Sequence, residues 1–415
     1  MAETTTRRWA AWVVLLAAAS TFALTMGTRQ TMGLFLGSLN TSTQLGLGSI
    51  SLAFACGQLF WGLSQPFAGA MADRVGAGRV LLLGISLVAL GTVITPYMTS
   101  TFGLIVSIGM LSAGGAGMAG PAVLMAASMR LLPPVKYGLG TGIVNAGGSL
   151  GQFVMAPLAA ALMVGLGWVA AMQVLGLLVL LALPAAWVLS GRADDPAPTA
   201  AASASARAAL APAASTRQAI AQALRHRSFL LLAAGFFVCG FHVAFLGTHL
   251  PGVVASCGLP LQYGAWSLAV LGLFNIIGSL SMGWAMGRWR MKSLLSLVYA
   301  MRALCVLLFL LAPKSGTVML LFAAAMGLTF LSTVPPTAGL VAKFFGVRHM
   351  ATLFGLVMLT HQIGGFTGAW LGGQVFEATG AYDWIWYLDI VLAVAAALIH
   401  LPIKEAPLPL AAVAA

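Results

Sequence analysis

Charged residues are scarce in this chain. Of its 415 residues, 7% are charged and 60% are hydrophobic, and the mean hydropathy is +0.99. A soluble globular domain carries about 25% charged residues, so the sequence cannot supply an ordinary water-facing surface. The sequence also lacks a phosphate-binding loop and the residue spacing of a catalytic triad. These absences exclude a soluble enzyme and indicate a polytopic membrane protein.

Cysteine is equally rare. The four cysteines are isolated within apolar stretches and show no spacing typical of a disulfide framework or a metal site: Cys56, Cys239, Cys257 and Cys305. We interpret them as small apolar side chains. The sequence predicts neither a metal ion nor a cofactor.

Long hydrophobic runs occupy most of the chain. A helix that crosses a bilayer needs about twenty mostly apolar residues. Twelve stretches meet that length: 10–36, 49–71, 79–98, 102–131, 137–163, 168–190, 229–251, 263–286, 292–313, 317–344, 350–376 and 384–403. Backbone polar groups must be satisfied within lipid, so these stretches are expected to be helices.

The twelve predicted helices divide into two sets of six. The first set lies in residues 1–190 and the second in residues 229–415. Between them, residues 191–228 are rich in Ala, Pro and Ser and then basic, which predicts a cytoplasmic linker that contains a short surface helix. The predicted fold class is an all-α membrane protein with twelve transmembrane helices in two pseudo-symmetric six-helix halves.

The two halves correspond at a nearly constant shift. Sliding the sequence by 213 residues aligns Gly27-Thr28-Arg29 with Gly240-Phe241-His242, and a shift of 214 aligns Arg74 with Arg288. Transporters often contain such internal repeats and bind their substrate near the membrane midplane, between the repeats.

The basic residues indicate an orientation. With the N-terminus in the cytoplasm, seventeen of the 20 Lys and Arg residues fall in cytoplasmic segments. This distribution predicts a multi-pass protein of the cell inner membrane with both termini in the cytoplasm. The net charge of +12 therefore reflects membrane topology and not nucleic-acid binding. The expected partners are the lipid bilayer and a small-molecule substrate, with a proton or a counter-anion as the candidate coupled ion, and the expected state is a monomer.

A charged, glycine-rich connector joins the second and third predicted helices. Its pattern is Gly69-x-x-x-Asp73-Arg74-x-Gly76-x-x-Arg79, and a weaker copy near Arg288 has Gly287 in place of the aspartate. The pattern resembles the cytoplasmic signature of the major facilitator superfamily, and the likeness covers essentially the whole chain. The resemblance implies a conformational gate that locks the outward-facing state, one-sided because the copy lacks its aspartate. Its expected members are Gly69, Asp73, Arg74, Gly76, Arg79 and Arg288.

The first predicted helix resembles one branch of that superfamily. The stretch Arg29-Gln30-Thr31-Met32-Gly33-Leu34-Phe35 is similar to monocarboxylate and oxalate/formate transporters. This resemblance implies a secondary transporter for a small organic anion. Where the pattern has an Asp and an Arg in the eighth helix, this chain has Asn275 and Ser279. That departure argues against proton-coupled monocarboxylate transport of the animal type.

Arg29 is the leading candidate for an anion contact. An arginine within the membrane costs about 2.5–3.5 kcal/mol, so it is expected to face a cavity or a partner, and a guanidinium binds a carboxylate bidentately. The alternatives are snorkelling to the interface and an internal ion pair. The predicted substrate-binding residues are Arg29, Gln30, Asn145, His242, Asn275 and His361. Histidine titrates near neutral pH, so His361 and His242 are also candidates for carrying a coupled proton, against a structural role for each.

Helices nine and twelve pack outside the cavity in the fold that the resemblance implies, so Arg302 is expected to cap carbonyls or pair with a neighbouring helix, and Asp389 to be peripheral. A functional role for either residue is left open. Pro121 and Pro335-Pro336 are predicted to break helices four and ten. The alternative function is a carrier or exporter of a larger neutral or aromatic compound, such as a drug or a vitamin like riboflavin. Trp61 and Trp266 would then line its binding surface.

Overall fold

The chain folds into a bundle of long helices. The computed structural model describes residues 2–131, 137–190, 216–345 and 350–407, and these ranges contain helices and no strand. Eleven segments of the described chain are long and apolar enough to cross a membrane: Trp12–Thr43, Leu47–Ala72, Ala77–Tyr97, Thr101–Ser128, Gly142–Leu166, Trp168–Val188, Arg227–Ser256, Leu261–Ala285, Met291–Leu311, Gly316–Phe345 and Asp383–His400.

A further long helix completes the bundle. Met350–Thr379 contains 30 residues and packs between the second and the seventh of these helices, although it is not one of the eleven apolar segments. We number the twelve helices span 1 to span 12 in chain order, with Met350–Thr379 as span 11. The predicted all-α fold is confirmed.

Several spans are interrupted. Span 1 consists of Ala2–Thr31, a 3-10 turn at Met32–Phe35 and Leu36–Thr43. Span 3 consists of Ala77–Ile94 and Thr95–Tyr97, and span 10 of Gly316–Thr329 and Val334–Phe345. Span 4 consists of Thr101–Leu104, the π-helical Ile105–Ala113, Gly114–Met118 and Pro121–Leu131. Span 6 consists of Trp168–Val179, Leu180–Ala182 and Leu183–Val188.

Two of these interruptions follow from proline. Span 4 leaves helical geometry just before Pro121, and span 10 does so just before Pro335-Pro336. Proline lacks a backbone N–H and restricts the residue before it, so a helix tends to end there. Both predicted breaks are confirmed.

Five of the seven uninterrupted spans are longer than predicted, namely spans 2, 5, 7, 8 and 11, whereas spans 9 and 12 are slightly shorter. The long helices of spans 2 and 5 are Leu47–Val75 and Tyr137–Leu166. The other uninterrupted helices coincide with the spans given above: Arg227–Ser256, Leu261–Ala285, Met291–Leu311, Met350–Thr379 and Asp383–His400.

Successive spans alternate in direction, so the bundle has two ends. We call the end where residues 191–226 connect spans 6 and 7 the linker end, and the other the opposite end. A short helix, Thr216–Arg225, packs against spans 7 and 11 through the buried Ala219 and Ala223. It lies inside the predicted linker, whose residues 191–215 are outside the described part of the chain.

The two halves repeat the same close packing. Gly151 of span 5 packs against the backbone carbonyl of Ala23 in span 1, and Gly364 of span 11 packs against that of Phe237 in span 7. Gly364 follows Gly151 by the shift of 213 residues read from the sequence. Small residues allow membrane helices to approach this closely. The predicted pseudo-symmetry of the two six-helix sets is confirmed.

Candidate functional site

The two six-helix sets touch at the opposite end of the bundle. A Cβ atom at Gly33 of span 1 would lie 2.6 Å from the carbonyl oxygen of Gly247 and 2.7 Å from that of Thr248, both in span 7. Gly373 of span 11 is equally tight against Ser51 of span 2. Backbone therefore meets backbone here, and this end of the interface is closed.

At the linker end, glycines of the facing spans lack such close contacts. A Cβ atom added to any of four glycines there meets no described atom within 4 Å: Gly69 in span 2, Gly142 in span 5, Gly283 in span 8 and Gly355 in span 11. These glycines belong to the spans that face each other between the two sets, 2 with 11 and 5 with 8. These four positions make no contact between the sets, unlike Gly33 and Gly373, and we interpret the linker end as the open end of a crevice between the sets.

Arg29 lies one turn before Gly33 in span 1, on the linker side of the closed contact. It is the third-last residue of the first helix, just before the 3-10 turn Met32–Phe35. Its Nη2 donates a hydrogen bond to Oε1 of Gln58 at 2.6 Å, and its guanidinium carbon lies 5.1 Å from the centroid of the Trp61 ring. The ion pairs among described side chains involve other residues, so no described carboxylate neutralises Arg29.

Span 11 packs against span 2 beside the contacts of Arg29. Gln362 packs against Gly62, and Gly365 packs against Gln58, so spans 1, 2 and 11 meet here. The buried Nε1 of Trp61 and Nε2 of Gln362 have no hydrogen-bond partner in the described chain. Buried donors without partners are costly. We call Arg29, Gln58, Trp61 and Gln362 the Arg29 group. It combines a positive charge with donors that lack acceptors, which is an arrangement suited to an anion.

Two residues predicted to bind substrate lie close to this group in sequence but differ in surroundings. Gln30 is half-buried next to Arg29. His361 precedes Gln362 on span 11, but its ring packs 4.9 Å from the ring of Phe236 in span 7. It is 8% exposed, and its Nδ1 has no partner among described residues. His361 therefore faces span 7 while Gln362 faces span 2.

A second polar group lies between spans 5 and 8. Asn275 donates from Nδ2 to Oγ of Ser149 at 2.9 Å, and its Oδ1 accepts from the backbone N–H of Leu331 at 3.0 Å. Gln152, one turn from Ser149, is buried and both its polar atoms lack partners in the described chain. Asn145 lies one turn on the other side of Ser149 and is exposed. Asn275 therefore links the two six-helix sets to each other and to the break in span 10.

His242 has different partners from those expected of a residue beside the substrate. Its Nε2 lies 3.1 Å from Oδ1 of Asp389 in span 12, and its Nδ1 lies 3.4 Å from Nη1 of Arg302 in span 9. All three residues are 1% exposed. No contact joins this cluster to Arg29, so pseudo-symmetry with Arg29 does not give His242 the same surroundings.

Arg302 also holds backbone at the break in span 10. Its Nη2 donates to the carbonyl oxygens of Thr329 and Phe330, the latter at 2.7 Å. The sequence interpretation of Arg302 as a group that caps carbonyls agrees with this geometry. It did not anticipate that Arg302, His242 and Asp389 form one cluster. The available signal was that Arg302 and Asp389, a membrane-embedded cation and anion, occur in the same six-helix set as His242.

The predicted gate residues are only partly engaged. Gly76 ends the long helix of span 2 with φ +92°, a conformation that glycine adopts readily. Arg74 and Arg79 are exposed and make no hydrogen bond or ion pair with another described residue. Arg288 stacks over the ring of Trp284 at 3.8 Å. The side chain of Asp73 lies outside the described part of the structure.

The cysteines are all free, as expected. Cys239 is more than an apolar filler, however. Its Sγ lies 3.0 Å from Oγ1 of Thr333 and 3.7 Å from Nη2 of Arg302, at the break in span 10. The interpretation of this cysteine as a simple hydrophobe was therefore wrong, because its place in the sequence did not show the polar neighbours brought by spans 9 and 10.

Comparisons with known proteins agree with the fold. The family model described as the Major Facilitator Superfamily matches residues 16–369. The chain is 23% identical over 364 residues to the MFS-type transporter YcxA of Bacillus subtilis, covering 85% of each chain. It is 25% identical over 383 residues to monocarboxylate transporter 13 of Rattus norvegicus, covering 89% of this chain and 83% of the relative.

Solved structures show the same architecture at low sequence identity. A D-xylose-proton symporter superposes with a TM-score of 0.71 at 14% identity, covering 96% of this chain and 99% of that one. A bacterial homologue of the human lysosomal transporter Spinster superposes with a TM-score of 0.74 at 16% identity, covering 94% and 96%. At these identities the likeness concerns the fold alone.

Proposed function

Because this chain belongs to the Major Facilitator Superfamily, we propose that it is a secondary transporter that moves a small organic anion by alternating access. Membership of this family makes it a membrane transport protein and not an enzyme. The proposed substrate is a mono- or dicarboxylate. The observation that carries this proposal is Arg29, a guanidinium inside the bundle that no described carboxylate neutralises.

The Arg29 group fits a carboxylate chemically. A guanidinium and a carboxylate form two parallel, charge-assisted hydrogen bonds, which are stronger than neutral ones. In the structure one of these donors is occupied by the neutral Gln58. The unpartnered N–H groups of Trp61 and Gln362 lie on the two spans that surround the guanidinium. An anion seated there would satisfy donors that otherwise remain buried without acceptors.

The relatives support the same substrate class. Several curated relatives are named as monocarboxylate transporters, and they match this chain at 22–26% identity. Identity this low does not fix a substrate, so Arg29 and its neighbours carry the argument.

The distribution of basic residues sets the proposed orientation. We place the protein in the inner membrane with both termini in the cytoplasm, so that the linker end faces the cytoplasm. The structure then corresponds to an inward-open state. The connector Gly69–Arg79 and Arg288 lie at that end, where we expect them to engage when the crevice closes. Residues 1–190 and 229–415 would move as two units joined by residues 191–228.

Transport by purified protein in proteoliposomes tests the proposal. Radiolabelled formate, lactate, oxalate and benzoate serve as probes, with riboflavin as the neutral aromatic alternative. Replacing Arg29 with Ala removes charge-assisted hydrogen bonds worth about 1.5–3 kcal/mol, so KM should rise roughly 10- to 100-fold. Arg29→Lys keeps the charge but not the two-pronged geometry, so its KM should fall between those of the wild type and Arg29→Ala.

Lys314→Ala is the matched control. Lys314 is also basic, but it donates to the carbonyls of Phe309 and Leu310 at the opposite end of span 9. Its loss should leave KM unchanged. Undiminished carboxylate transport in both Arg29 variants would refute the role of Arg29. Transport of riboflavin alone would favour the aromatic alternative, in which Trp61 stacks against the substrate.

A further inference from the structure

The cluster of His242, Arg302 and Asp389 is separate from the proposed anion site. Its members come from spans 7, 9 and 12, and each is 1% exposed. A charge buried this deeply must be balanced by its neighbours. The cluster provides one guanidinium and one carboxylate, with an imidazole between them. Its charges balance only while the imidazole is neutral and the carboxylate is ionised.

The hydrogen-bond geometry assigns the proton on His242. Arginine can only donate, so Nδ1 of His242, 3.4 Å from Nη1 of Arg302, must be the acceptor. The imidazole N–H is therefore at Nε2, where it lies 3.3 Å from the backbone oxygen of Asp389 and 3.1 Å from its Oδ1. Oδ1 itself has no hydrogen bond of good geometry with the described chain. A buried carboxylate oxygen without a donor is a place where a proton can bind.

We propose that the His242–Asp389 pair binds one further proton during transport and acts as the coupling-ion site of this protein. This inference rests on the proposed transport function, but it concerns a site that the anion does not touch. The added proton belongs to the pair as a whole, because two strongly interacting groups titrate together.

Either location of that proton weakens the contact with Arg302. On Asp389, it removes the negative charge that balances the guanidinium. On His242, it turns Nδ1 into a donor that faces the N–H of Arg302. The other titratable groups facing the cluster are Cys239 on span 7, Tyr299 and Cys305 on span 9 and, through Cys239, His361 on span 11. None of them is an additional carboxylate that could balance a second positive charge.

Arg302 connects the proton site to the moving parts. It holds the carbonyls of Thr329 and Phe330, where span 10 is interrupted. The next residue, Leu331, donates to Asn275, which bonds Ser149 in the other six-helix set. Each link in this series is a direct hydrogen bond, apart from the peptide bond that joins Phe330 to Leu331. A proton that loosens Arg302 therefore acts on a backbone break that is tied to the interface between the halves.

Infrared difference spectroscopy of the purified protein in detergent tests proton binding without a transport substrate. Spectra are recorded between about pH 3 and pH 9, which brackets the ordinary pKa values of Asp and His. We expect a carboxylic acid C=O band that appears on acidification and is absent in Asp389→Asn. Asp383→Asn, at the exposed start of span 12, should keep that band. His242→Gln should shift its midpoint, because the pair titrates as a unit.

Proton-driven transport tests the coupling. In proteoliposomes, uptake of the best carboxylate probe under an inward proton gradient is compared with its exchange at equal pH. The ratio of the two rates should fall roughly tenfold in Asp389→Asn and His242→Gln, within the usual range of coupling between sites. His249→Gln should keep the wild-type ratio, because His249 is a buried histidine of the same span that bonds the carbonyl of Ala369 and has no acidic partner.

The two experiments separate the two proposals. If neither Asp389→Asn nor His242→Gln removes a titrating band of a carboxylic acid or an imidazolium, or if both variants keep the wild-type ratio, the proton site is refuted. If no carboxylate is transported while the Asp389 band titrates, the substrate proposal fails and the proton site stands. Size-exclusion profiles of each variant exclude misfolding as the cause of a lost band.

Discussion

The carboxylate of Glu377 accepts a hydrogen bond from the backbone N–H of Gly48 at 2.6 Å. Glu377 lies near the end of span 11, and Gly48 is the second residue of the helix that forms span 2. The first N–H groups of a helix have no partner within the helix and carry a partial positive charge. A carboxylate from one six-helix set therefore caps a helix of the other at the closed end of the bundle.

Replacing Glu377 with Gln should weaken this closure. Glutamine can still accept the hydrogen bond, but the interaction of a negative charge with a helix N-terminus, about 0.3–1 kcal/mol, is lost. The equilibrium should shift towards states in which the opposite end is open. Spin labels at the exposed Thr41 and Thr379, in a cysteine-free background, report the distance across that end. A larger population of long distances in Glu377→Gln is expected.

Gln374→Leu provides the control for that measurement. Gln374 lies one turn from Glu377 and also contacts Gly48, but it carries no charge. It should change the distance distribution less than Glu377→Gln. Identical distributions in the wild type and Glu377→Gln would show that the cap does not help to hold the end closed.

The sequence predicts the spans because lipid imposes simple requirements. A hydrophobic run of sufficient length must be a helix, and prolines such as Pro121 and Pro335 interrupt it, so these features need no knowledge of the tertiary structure. The repeat also predicts the close contacts of Gly151 and Gly364, since glycine is the residue that permits them.

The partners of each site residue could not be predicted in this way. Arg29 was identifiable as a charge inside lipid, but its contacts with Gln58 and Trp61 depend on the rotation of span 2 against span 1. His242 occupies the position of Arg29 in the repeat, yet it bonds to Arg302 and Asp389. Aligning the two halves predicts how deep a residue lies along its helix. Its hydrogen-bond partners depend on neighbouring side chains, which differ between the two halves.

Gly76 should be sensitive to substitution for a conformational reason. It separates the helices of spans 2 and 3 with φ +92° and ψ 144°, and its N–H bonds the carbonyl of Ala72 at 3.0 Å. Side chains rarely adopt this backbone region, and forcing them into it costs about 1–3 kcal/mol. Gly76→Ala should lower the free energy of unfolding in detergent by that amount, as measured by denaturant titration.

Gly283→Ala is the matched comparison for Gly76→Ala. Gly283 belongs to the second copy of the connector, near Arg288, but it lies within a regular helix. A Cβ atom there would meet no described atom within 4 Å. Alanine is favoured over glycine in a helix by about 1 kcal/mol, so this variant should be no less stable than the wild type. Equal destabilisation by both substitutions would contradict the conformational explanation.

The hydrogen bond between Asn275 and Ser149 should contribute measurably to the contact between the halves. A double-mutant cycle with Asn275→Ala and Ser149→Ala isolates it, and the coupling expected for a side-chain hydrogen bond in a membrane protein is about 0.6 kcal/mol. Asn275→Ala should be the more damaging single variant, because it also removes the acceptor of the Leu331 N–H at the break in span 10. A buried donor left without a partner costs about 1–3 kcal/mol.

Ser279→Ala, one turn further along span 8, gives the baseline for this cycle, since Ser279 makes no hydrogen bond with a described residue. Denaturant titration in micelles gives the free energy of unfolding of the wild type, the two single variants and the double variant of the cycle. Equal losses in Asn275→Ala and Ser149→Ala would mean that the Leu331 N–H finds another acceptor. The break in span 10 would then be held by Arg302 without Asn275, and a signal from the proton site would have to reach the other half through the packing of spans 8 and 10.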